Sequence, residues 1–119
     1  KVEKNIPFSI TYEQLARFEF SNFPISGSEI SRRLSVIVNN PAMKSFSVLL
    51  MNQWLVQSGF LYEDIDSMGR KRKLPTEQGR GIGICTEQKM GRDGNYTAVL
   101  FDTNAQRFII DNIQAILNM

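Results

Sequence analysis

The stretch LVQSGFLYEDIDSMGRKRKLPTEQG, residues 55–79, changes character at Gly59 and decides the fold class. Before Gly59 the apolar residues recur at helical spacing, whereas "FLYEDID" alternates and is rich in aromatic and branched residues, as strands are. "SMGR" then predicts a turn and "KRKLP" a returning strand. We therefore predict a helix that ends at a glycine cap and runs directly into a β-hairpin over residues 60–75.

Two short helices are predicted further upstream. One covers about residues 12–19 and the other begins after Ser26, because Thr11 and Ser26 are each followed three positions later by Gln or Glu, which is the pattern of a capping box. The Asn-Asn-Pro sequence at 39–41 ends the second of these helices.

The third helix lies in SFSVLLMNQWLVQSG, residues 45–59. Its outer face is predicted to expose an apolar pair, Val48 and Met51. Its apolar side follows helical spacing. That side consists of Phe46, Leu49, Leu50, Trp54 and Leu55.

Downstream of the hairpin, Thr76 predicts a cap for one or two helical turns in "EQGRGIG". Strands "ICTEQK" and "YTAVLF" flank the turn "MGRDGN", and a helix with an amphipathic stripe closes the chain over residues 102–118. Helices and strands in separate blocks indicate an α+β fold. We expect an N-terminal arm over residues 1–10 and one domain over residues 11–119.

Composition narrows the function classes. The 119 residues are 42% hydrophobic and 22% charged, with no apolar run long enough to span a bilayer. The absence of histidine excludes histidine-based triads and the usual zinc sites, and the single cysteine, Cys85, fits a cytoplasmic location and a half-buried strand position. Because the sequence starts at Lys1, we expect a piece of a longer protein.

The formal net charge is only +2, but seven of the 14 Lys and Arg residues lie within residues 70–92. On a strand, Arg70 and Arg72 share one face, and Lys71 and Lys73 share the other. Such a hairpin can contact a phosphate backbone, form a solvated edge that blocks strand pairing, or meet another anionic partner. We favour the phosphate backbone.

The candidate nucleic-acid-binding residues are cations of this segment together with polar groups at the third helix. Glu63, Asp64 and Asp66 are interpreted as a solvated strand face in preference to a metal site. The residues 79–83 contain three glycines whose predicted role is conformational, since they match no phosphate-binding loop. No catalytic residue, metal or cofactor is predicted. The binding candidates are Arg70, Lys71, Arg72, Lys73, Arg80, Lys89, Arg92, Lys44, Asn52 and Gln53.

Residues 11–75 resemble the winged-helix family in the order of their elements. The segment "PISGSEISRRL" is followed by a turn, a helix and then a hairpin. The resemblance implies that residues 60–75 form the wing. A second resemblance, to the carboxy-terminal domains of phage antirepressors, lies in three segments: "QWLVQSGFL", "LPTEQGRGIGI" and "AQRFIIDNI". The arrangement is also similar in style to the winged modules appended to bacterial helicases. These resemblances imply binding of DNA or of a regulatory protein, without catalysis.

A protein-interaction or dimerisation module is the alternative class. Its contact surface is predicted to be either the final amphipathic helix or the Val48 and Met51 pair. An exposed apolar pair is out of place in a groove lined by phosphates and suits a protein interface. A homodimer is the corresponding oligomer.

Overall fold

A computed structural model describes residues 3–92 and 94–119 as an α+β arrangement, as predicted. Asp93, in the second predicted turn, lies outside the described residues, as do the first two residues of the predicted arm. The elements are α1 Tyr12–Leu15, β1 Ile25–Ser26, α2 Gly27–Val38, α3 Val48–Gln57, β2 Leu61–Ile65, β3 Lys71–Pro75, α4 Glu77–Gly81, β4 Ile84–Gly91, β5 Gly94–Phe101, α5 Thr103–Asp111 and α6 Ile113–Leu117.

Both predicted hairpins are present. In the first hairpin, β2 pairs antiparallel with β3, and Leu61 lies opposite Pro75. In the second, β4 pairs antiparallel with β5, from Ile84 opposite Phe101 to the turn. The two-residue strand β1 adds to the other edge of β5 and was not predicted, because two residues are too few to show an alternating pattern.

The predicted helix caps are largely confirmed. Thr11 forms the full capping box, and the side chains of Ser26 and Thr76 each accept a hydrogen bond from the backbone three residues on. The box at Ser26 is only half formed, because the carboxylate of Glu29 binds Arg32 and Arg33 instead of returning to the cap.

Two predicted helices are too long. The first ends at Leu15 instead of Glu19, because tighter hydrogen bonds from Arg17 and Phe18 to carbonyls three residues earlier turn the chain and bury Phe18. The final helix breaks at Asn112, whose side-chain amide donates to the carbonyl of Phe108 at 2.8 Å. An asparagine that bonds its own preceding turn competes with the helix ladder.

The predicted faces of the third helix are wrong at three positions. Met51, predicted to be exposed, is fully buried, and Val48, also predicted to be exposed, is half-buried against the core. Leu49, predicted to lie on the apolar side, is 63% exposed. Gly27 explains the difference, because a Cβ at that position would lie 3.0 Å from Val48 and 3.1 Å from Met51. The missing side chain lets α2 and α3 approach closely, so this face of α3 turns inward.

The apolar core joins the helices to the sheet. The predicted stripe of the C-terminal helices covers this core as expected, with Phe108 packed against Trp54 and Phe60. From the predicted arm, Phe8 contacts Phe46 edge-on. The fully buried core includes Ile30, Leu34, Met51, Leu55, Ile84, Phe101, Ile109, Ile113 and Ile116.

One buried amide ties the loop after α1 to the second hairpin. The side-chain oxygen of Gln106 accepts from the backbone N–H of Ser21 at 2.7 Å, and its NH₂ group donates to the carbonyls of Ser21, Phe23 and Phe101. Gln106 is completely buried. A buried polar side chain is stable only when its groups are paired, so this geometry holds three segments together.

Replacing Gln106 by Met should remove these bonds while keeping most of the side-chain volume. The Ser21 N–H and the buried Phe101 carbonyl would lose this partner, whereas the Ser21 carbonyl would keep the Thr103 hydroxyl, so the free energy of unfolding should fall by about 1–3 kcal/mol. Urea denaturation measures this change. The matched control is Gln57→Met on the exposed side of α3, which should change stability by less than ~0.5 kcal/mol. Equal stability of the two variants would contradict the role of Gln106.

A second anchor closes the base of the first hairpin. The Thr76 hydroxyl donates to the carbonyl of Gly59 at 2.7 Å and accepts from the N–H of Gly79 at 3.0 Å. The Thr76 N–H also donates to the carbonyl of Phe60 at 3.1 Å. Gly79 must be a glycine, since a Cβ there would overlap the Phe60 carbonyl oxygen.

The three glycines at 79, 81 and 83, all predicted to have a conformational role, differ in what they do. Gly79 lets α4 pack closely against the Phe60 carbonyl, and Gly83 has a positive φ of 106° before β4. A Cβ on Gly81 would meet no atom within 4 Å. The structure gives no reason for a glycine at position 81.

Alanine at the two helical glycines should have opposite effects. Gly79→Ala should destabilise the domain by roughly 1–3 kcal/mol, as overpacking does. Gly81→Ala should stabilise it by about 0.4–1 kcal/mol, because alanine restricts the unfolded chain. Thermal unfolding of both variants tests the pair, and a stability loss at Gly81 as large as that at Gly79 would be inconsistent with this packing.

Candidate functional site

A groove runs between the two hairpins. It encloses about 360 Å³, and β3 faces the β4–β5 hairpin across it. The first hairpin contributes charged residues, and the second contributes uncharged ones. The residues that line this outer part include Asp66, Arg70, Lys71, Arg72, Gln88, Asn95, Tyr96 and Thr97.

The groove continues inward toward the helices. A second cavity of about 290 Å³ shares Arg72 and Thr97 with the outer one. It is lined further by Lys73, by Asn52 of α3 and by Ser28 at the start of α2. We call the two adjoining cavities together the hairpin groove.

A small hydrogen-bond network lies at the junction of the two cavities. Thr97 Oγ1 accepts from Gln88 Nε2 at 2.9 Å within the second hairpin. The Arg72 guanidinium reaches the same oxygen from the first hairpin at 3.5 Å. Thr97 therefore links the two hairpins at the middle of the groove.

Both arginines of the basic run have carboxylate partners across the first hairpin. Arg72 pairs with Asp64 at 2.8 Å, and Arg70 pairs with Asp66 at 3.0 Å. The pKa of Asp66 is below its usual range, chiefly because its carboxylate accepts the backbone N–H of Arg70. Of the three carboxylates predicted to form a solvated face, Asp64 and Asp66 instead compensate half of the cationic run, whereas Glu63 is exposed.

The two lysines of the run are not compensated in this way. Lys71 lies opposite Ile65 and Lys73 lies opposite Glu63 in the strand register, but neither lysine forms an ion pair with a described residue. Lys71 lines the outer cavity and Lys73 lines the inner one. An anionic ligand in the hairpin groove would meet these two charges without displacing a carboxylate.

The structure separates several other candidate residues from the groove. Arg80 lines a depression beside Cys85, and Lys44 lines another depression with Lys4. The remaining candidates, which do not line the hairpin groove, are Gln53 on the exposed side of α3, Lys89 on β4 and Arg92 in the turn after β4. The groove thus collects Arg70, Lys71, Arg72, Lys73 and Asn52 of the predicted set.

The helix α3 carries no charged residue. Its exposed positions include Leu49 and Gln53. A helix that enters the major groove of a duplex usually carries Arg, Lys, Asn or Gln for base contacts. The polar contribution of α3 is therefore limited, and the charge of the candidate site comes from the first hairpin.

Cys85 lies half-buried on β4, as predicted from the sequence. Burial raises the pKa of its thiol above the usual value, and the nearby charges of Asp102 and Glu87 raise it further. Its Sγ lies 3.6 Å from the carbonyl oxygen of Leu100. A raised pKa lowers the thiolate fraction, which is the opposite of an activated nucleophile.

Asp64 and Asp66 do not belong to a metal cluster in residues 3–92 and 94–119, where no three acidic or cysteine side chains gather in a suitable arrangement. A second group of cations, which the sequence analysis missed, surrounds Glu29. Hydrogen bonds from Arg32 and then Arg33 lower the pKa of Glu29 to about 2. These two arginines therefore have an internal partner.

The neutral residues of the groove were not predicted either. Gln88, Asn95, Tyr96 and Thr97 lie on two strands whose pairing brings them opposite the basic run. They match no motif and carry no charge. The only signal was the run of polar residues around the second turn, which is also typical of an ordinary solvated hairpin.

The function is argued from the geometry of the hairpin groove, because comparison with known proteins found no match. No family model, curated protein or solved structure matches the chain. Among the described residues, no helix combines the length and the apolar character that crossing a membrane requires. The hairpin groove is accordingly the feature from which a function is argued.

Proposed function

We propose that the chain is a non-catalytic nucleic-acid-binding module of a larger bacterial or phage protein, acting in the cytoplasm. The observation that carries the proposal is the pair of uncompensated lysines, Lys71 and Lys73, in the same groove as Arg70 and Arg72. Lys71 and Lys73 share one face of β3, where two cations can contact neighbouring phosphates of a nucleic-acid backbone. DNA is the expected target.

Binding in this groove is mainly electrostatic. Each phosphate contact contributes about 0.9 to the slope of log affinity against log salt on a duplex, and we expect about two to four contacts. The arginines contribute less than the lysines, because they must share their charge with Asp64 and Asp66. The affinity is accordingly weak and nearly independent of sequence.

The proposal includes a winged-helix-like arrangement in which the β2–β3 hairpin is the wing. The order of α2, α3 and the hairpin supports it, as does the contact of α3 with both α2 and β2. Because α3 has no charge, the wing carries the phosphate contacts in this proposal.

Removing the two lysine charges tests the proposal. The double variant Lys71→Gln/Lys73→Gln should weaken binding and reduce the salt slope by roughly 0.9 per lysine. Its thermal stability should stay nearly unchanged, since solvated charges contribute little to folding. Fluorescence anisotropy with labelled oligonucleotides, both duplex and single-stranded, at two salt concentrations measures affinity and slope together.

The matched control is Lys4→Gln/Lys44→Gln, which removes the same charge from a separate depression. Its effect should be small and should leave the salt slope unchanged. Equal losses in both double variants would mean that only net charge matters. No binding of wild-type protein to either oligonucleotide at low salt would refute the proposal.

Breaking one ion pair should have the opposite effect. Asp64→Asn frees the Arg72 guanidinium for a phosphate and should tighten binding by up to about fivefold, since an exposed pair is worth ~0–1 kcal/mol. Asp111→Asn, an equal charge change at an exposed position on α5, is the control for the same anisotropy titration. Equal tightening in both variants would argue against a specific role for Arg72.

A protein partner is the second candidate. The surfaces predicted for it are largely unsuitable, because Met51 is buried and the stripe of the C-terminal helices covers the domain's own core. A different observation favours a partner at the tip of the first hairpin, where Ile65 and Met68 are exposed. Sedimentation at micromolar concentration tests self-association, and a concentration-independent monomer would remove the homodimer.

A further inference from the structure

We propose that the inner cavity of the hairpin groove is a site for one phosphate group, with Lys73 as its charged anchor and three neutral side chains as hydrogen-bond donors. These donors are Ser28, Asn52 and Thr97, which all line the cavity. The inference rests on the proposed function and specifies where the groove holds a phosphate of the nucleic-acid backbone. A free phosphate ion has the same chemistry, and the experiments separate the two sources.

The direction of Lys73 is fixed by the register of the first hairpin. Leu61 lies opposite Pro75 at the base of this hairpin, and both residues are buried. Because side chains alternate along a strand, Lys73 leaves β3 on the same face as Pro75. Leu61 shares that face and lines the inner cavity, so this face of the hairpin borders the cavity. Lys73 is half-buried there, whereas Lys71, farther along the same face, is exposed.

The opposite wall of the inner cavity supplies hydrogen-bond donors. Thr97 Oγ1 already accepts from Gln88 at 2.9 Å and from Arg72 at 3.5 Å. A hydroxyl has two acceptor sites and one proton, so Thr97 has only its proton left to offer. A group that can only donate suits an anion.

The helices contribute two further donors to the cavity. The side chains of Ser28 on α2 and Asn52 on α3 form no hydrogen bond with a described residue, because Ser26 and Ser47 are the residues that cap these helices. Hydroxyl and amide side chains are common partners of phosphate oxygens in nucleic-acid complexes. Both donors are therefore free for the same group that Lys73 attracts.

The electrostatics of the inner cavity favour an anion. None of the described residues that line it is acidic, whereas Asp66 lines the outer cavity. Glu63 lies opposite Lys73 in the register, but it is exposed and forms no ion pair with this lysine. A charge in a partly buried site is screened less than one in water. Lys73 should accordingly attract a phosphate more strongly than the exposed Lys71.

The cavity has room for this ligand. Its volume of about 290 Å³ is far larger than the ~30 Å³ share of one water molecule, so a phosphate group can enter together with water. Arg72 lies at the junction with the outer cavity and is held by Asp64 at 2.8 Å. The free charge of the site is therefore that of Lys73.

NMR titration of the wild-type protein with inorganic phosphate tests the site directly. Saturable shifts are expected at the backbone amides of Ser28, Lys73 and Thr97, and at both the backbone and the side-chain amide of Asn52. Sodium chloride at matched ionic strength is the control for screening and should not reproduce these shifts. The measurement needs no variant to fold.

Lysine variants separate the site from general positive charge. Lys73→Gln should abolish the saturable response to inorganic phosphate, and Lys73→Arg should retain it because the charge remains. Lys71→Gln makes the same charge change two residues away on the same face of β3 and should bind inorganic phosphate as the wild type does. Both Gln variants should still lower the salt slope for oligonucleotides, as the proposed function requires.

An amide variant tests the hydrogen-bond donors. Asn52→Leu should weaken the binding of inorganic phosphate by roughly 3- to 10-fold, which corresponds to the net loss of one hydrogen bond. Gln53→Leu removes an amide from the adjacent, exposed position on α3 and should leave phosphate binding unchanged. Equal losses in these two variants would contradict the role of Asn52.

Oligothymidine with and without a 5′-phosphate identifies the source of the phosphate group. Both oligonucleotides should shift the residues of the inner cavity to the same extent, because the backbone supplies the group. Inorganic phosphate should lower the apparent affinity of both at constant ionic strength. A response that requires the 5′-phosphate would overturn the assignment to a backbone phosphate.

The outcomes separate the phosphate site from the proposed function. Oligothymidine that shifts the groove while inorganic phosphate shifts no residue of the inner cavity would overturn the site and leave the proposed function standing. Saturable phosphate shifts confined to the depression of Lys4 and Lys44 would overturn it as well. A cavity that binds inorganic phosphate but no oligothymidine would keep the site, assign it to free phosphate and refute the proposed function. A spectrum unchanged by both probes would overturn both.

Discussion

The hydroxyl of Thr76 is the constraint on which the position of the first hairpin depends. It bonds the carbonyl of Gly59 before β2 and the N–H of Gly79 after β3, so both ends of the hairpin meet at one side chain. Gly79 then packs against the Phe60 carbonyl with no side chain between them. Gln106 fixes the end of the second hairpin at Phe101. The groove exists because these two anchors hold the hairpins side by side.

Charge compensation decides what this groove can bind. A run of four cations suggests a strongly positive surface, but the strand opposite supplies Asp64 and Asp66 as partners for the arginines. Within this run, only the lysines form no ion pair with a described residue. The resulting field is modest, and it lies beside the neutral residues Gln88 and Asn95. Such a surface suits a weak, sequence-tolerant contact better than a tight one.

Local signals predicted much of the fold. The caps at Thr11 and Thr76 and the glycine that ends α3 depend on residues close in sequence, so their patterns are readable. The inward face of α3 could not be predicted from local sequence, because it depends on the space that Gly27 leaves on another helix. The break at Asn112 depends on a side chain that binds its own helix, which a pattern of apolar residues does not reveal.

The candidate site likewise has a part that local sequence predicted and a part that depends on long-range packing. The cations of the basic run were visible in the sequence because charge clusters are local. Their pairing with Asp64 and Asp66 follows from the hairpin register, which the sequence indicated only through alternation. Tyr96 and Thr97 enter the site because a different hairpin lies alongside, and that arrangement is set by long-range packing. Local patterns carry little information on contacts of this kind.

The central claim is that the hairpin groove, and no other cationic surface of the described residues, holds the nucleic acid. Backbone amide chemical shifts of the wild-type protein, followed by NMR during titration with oligothymidine, test this claim most directly. The account predicts that the largest shifts fall on Asn52, Lys73, Tyr96 and Thr97, which line the groove. Largest shifts around Arg32 and Arg33, or an unchanged spectrum at saturating oligothymidine, would contradict it.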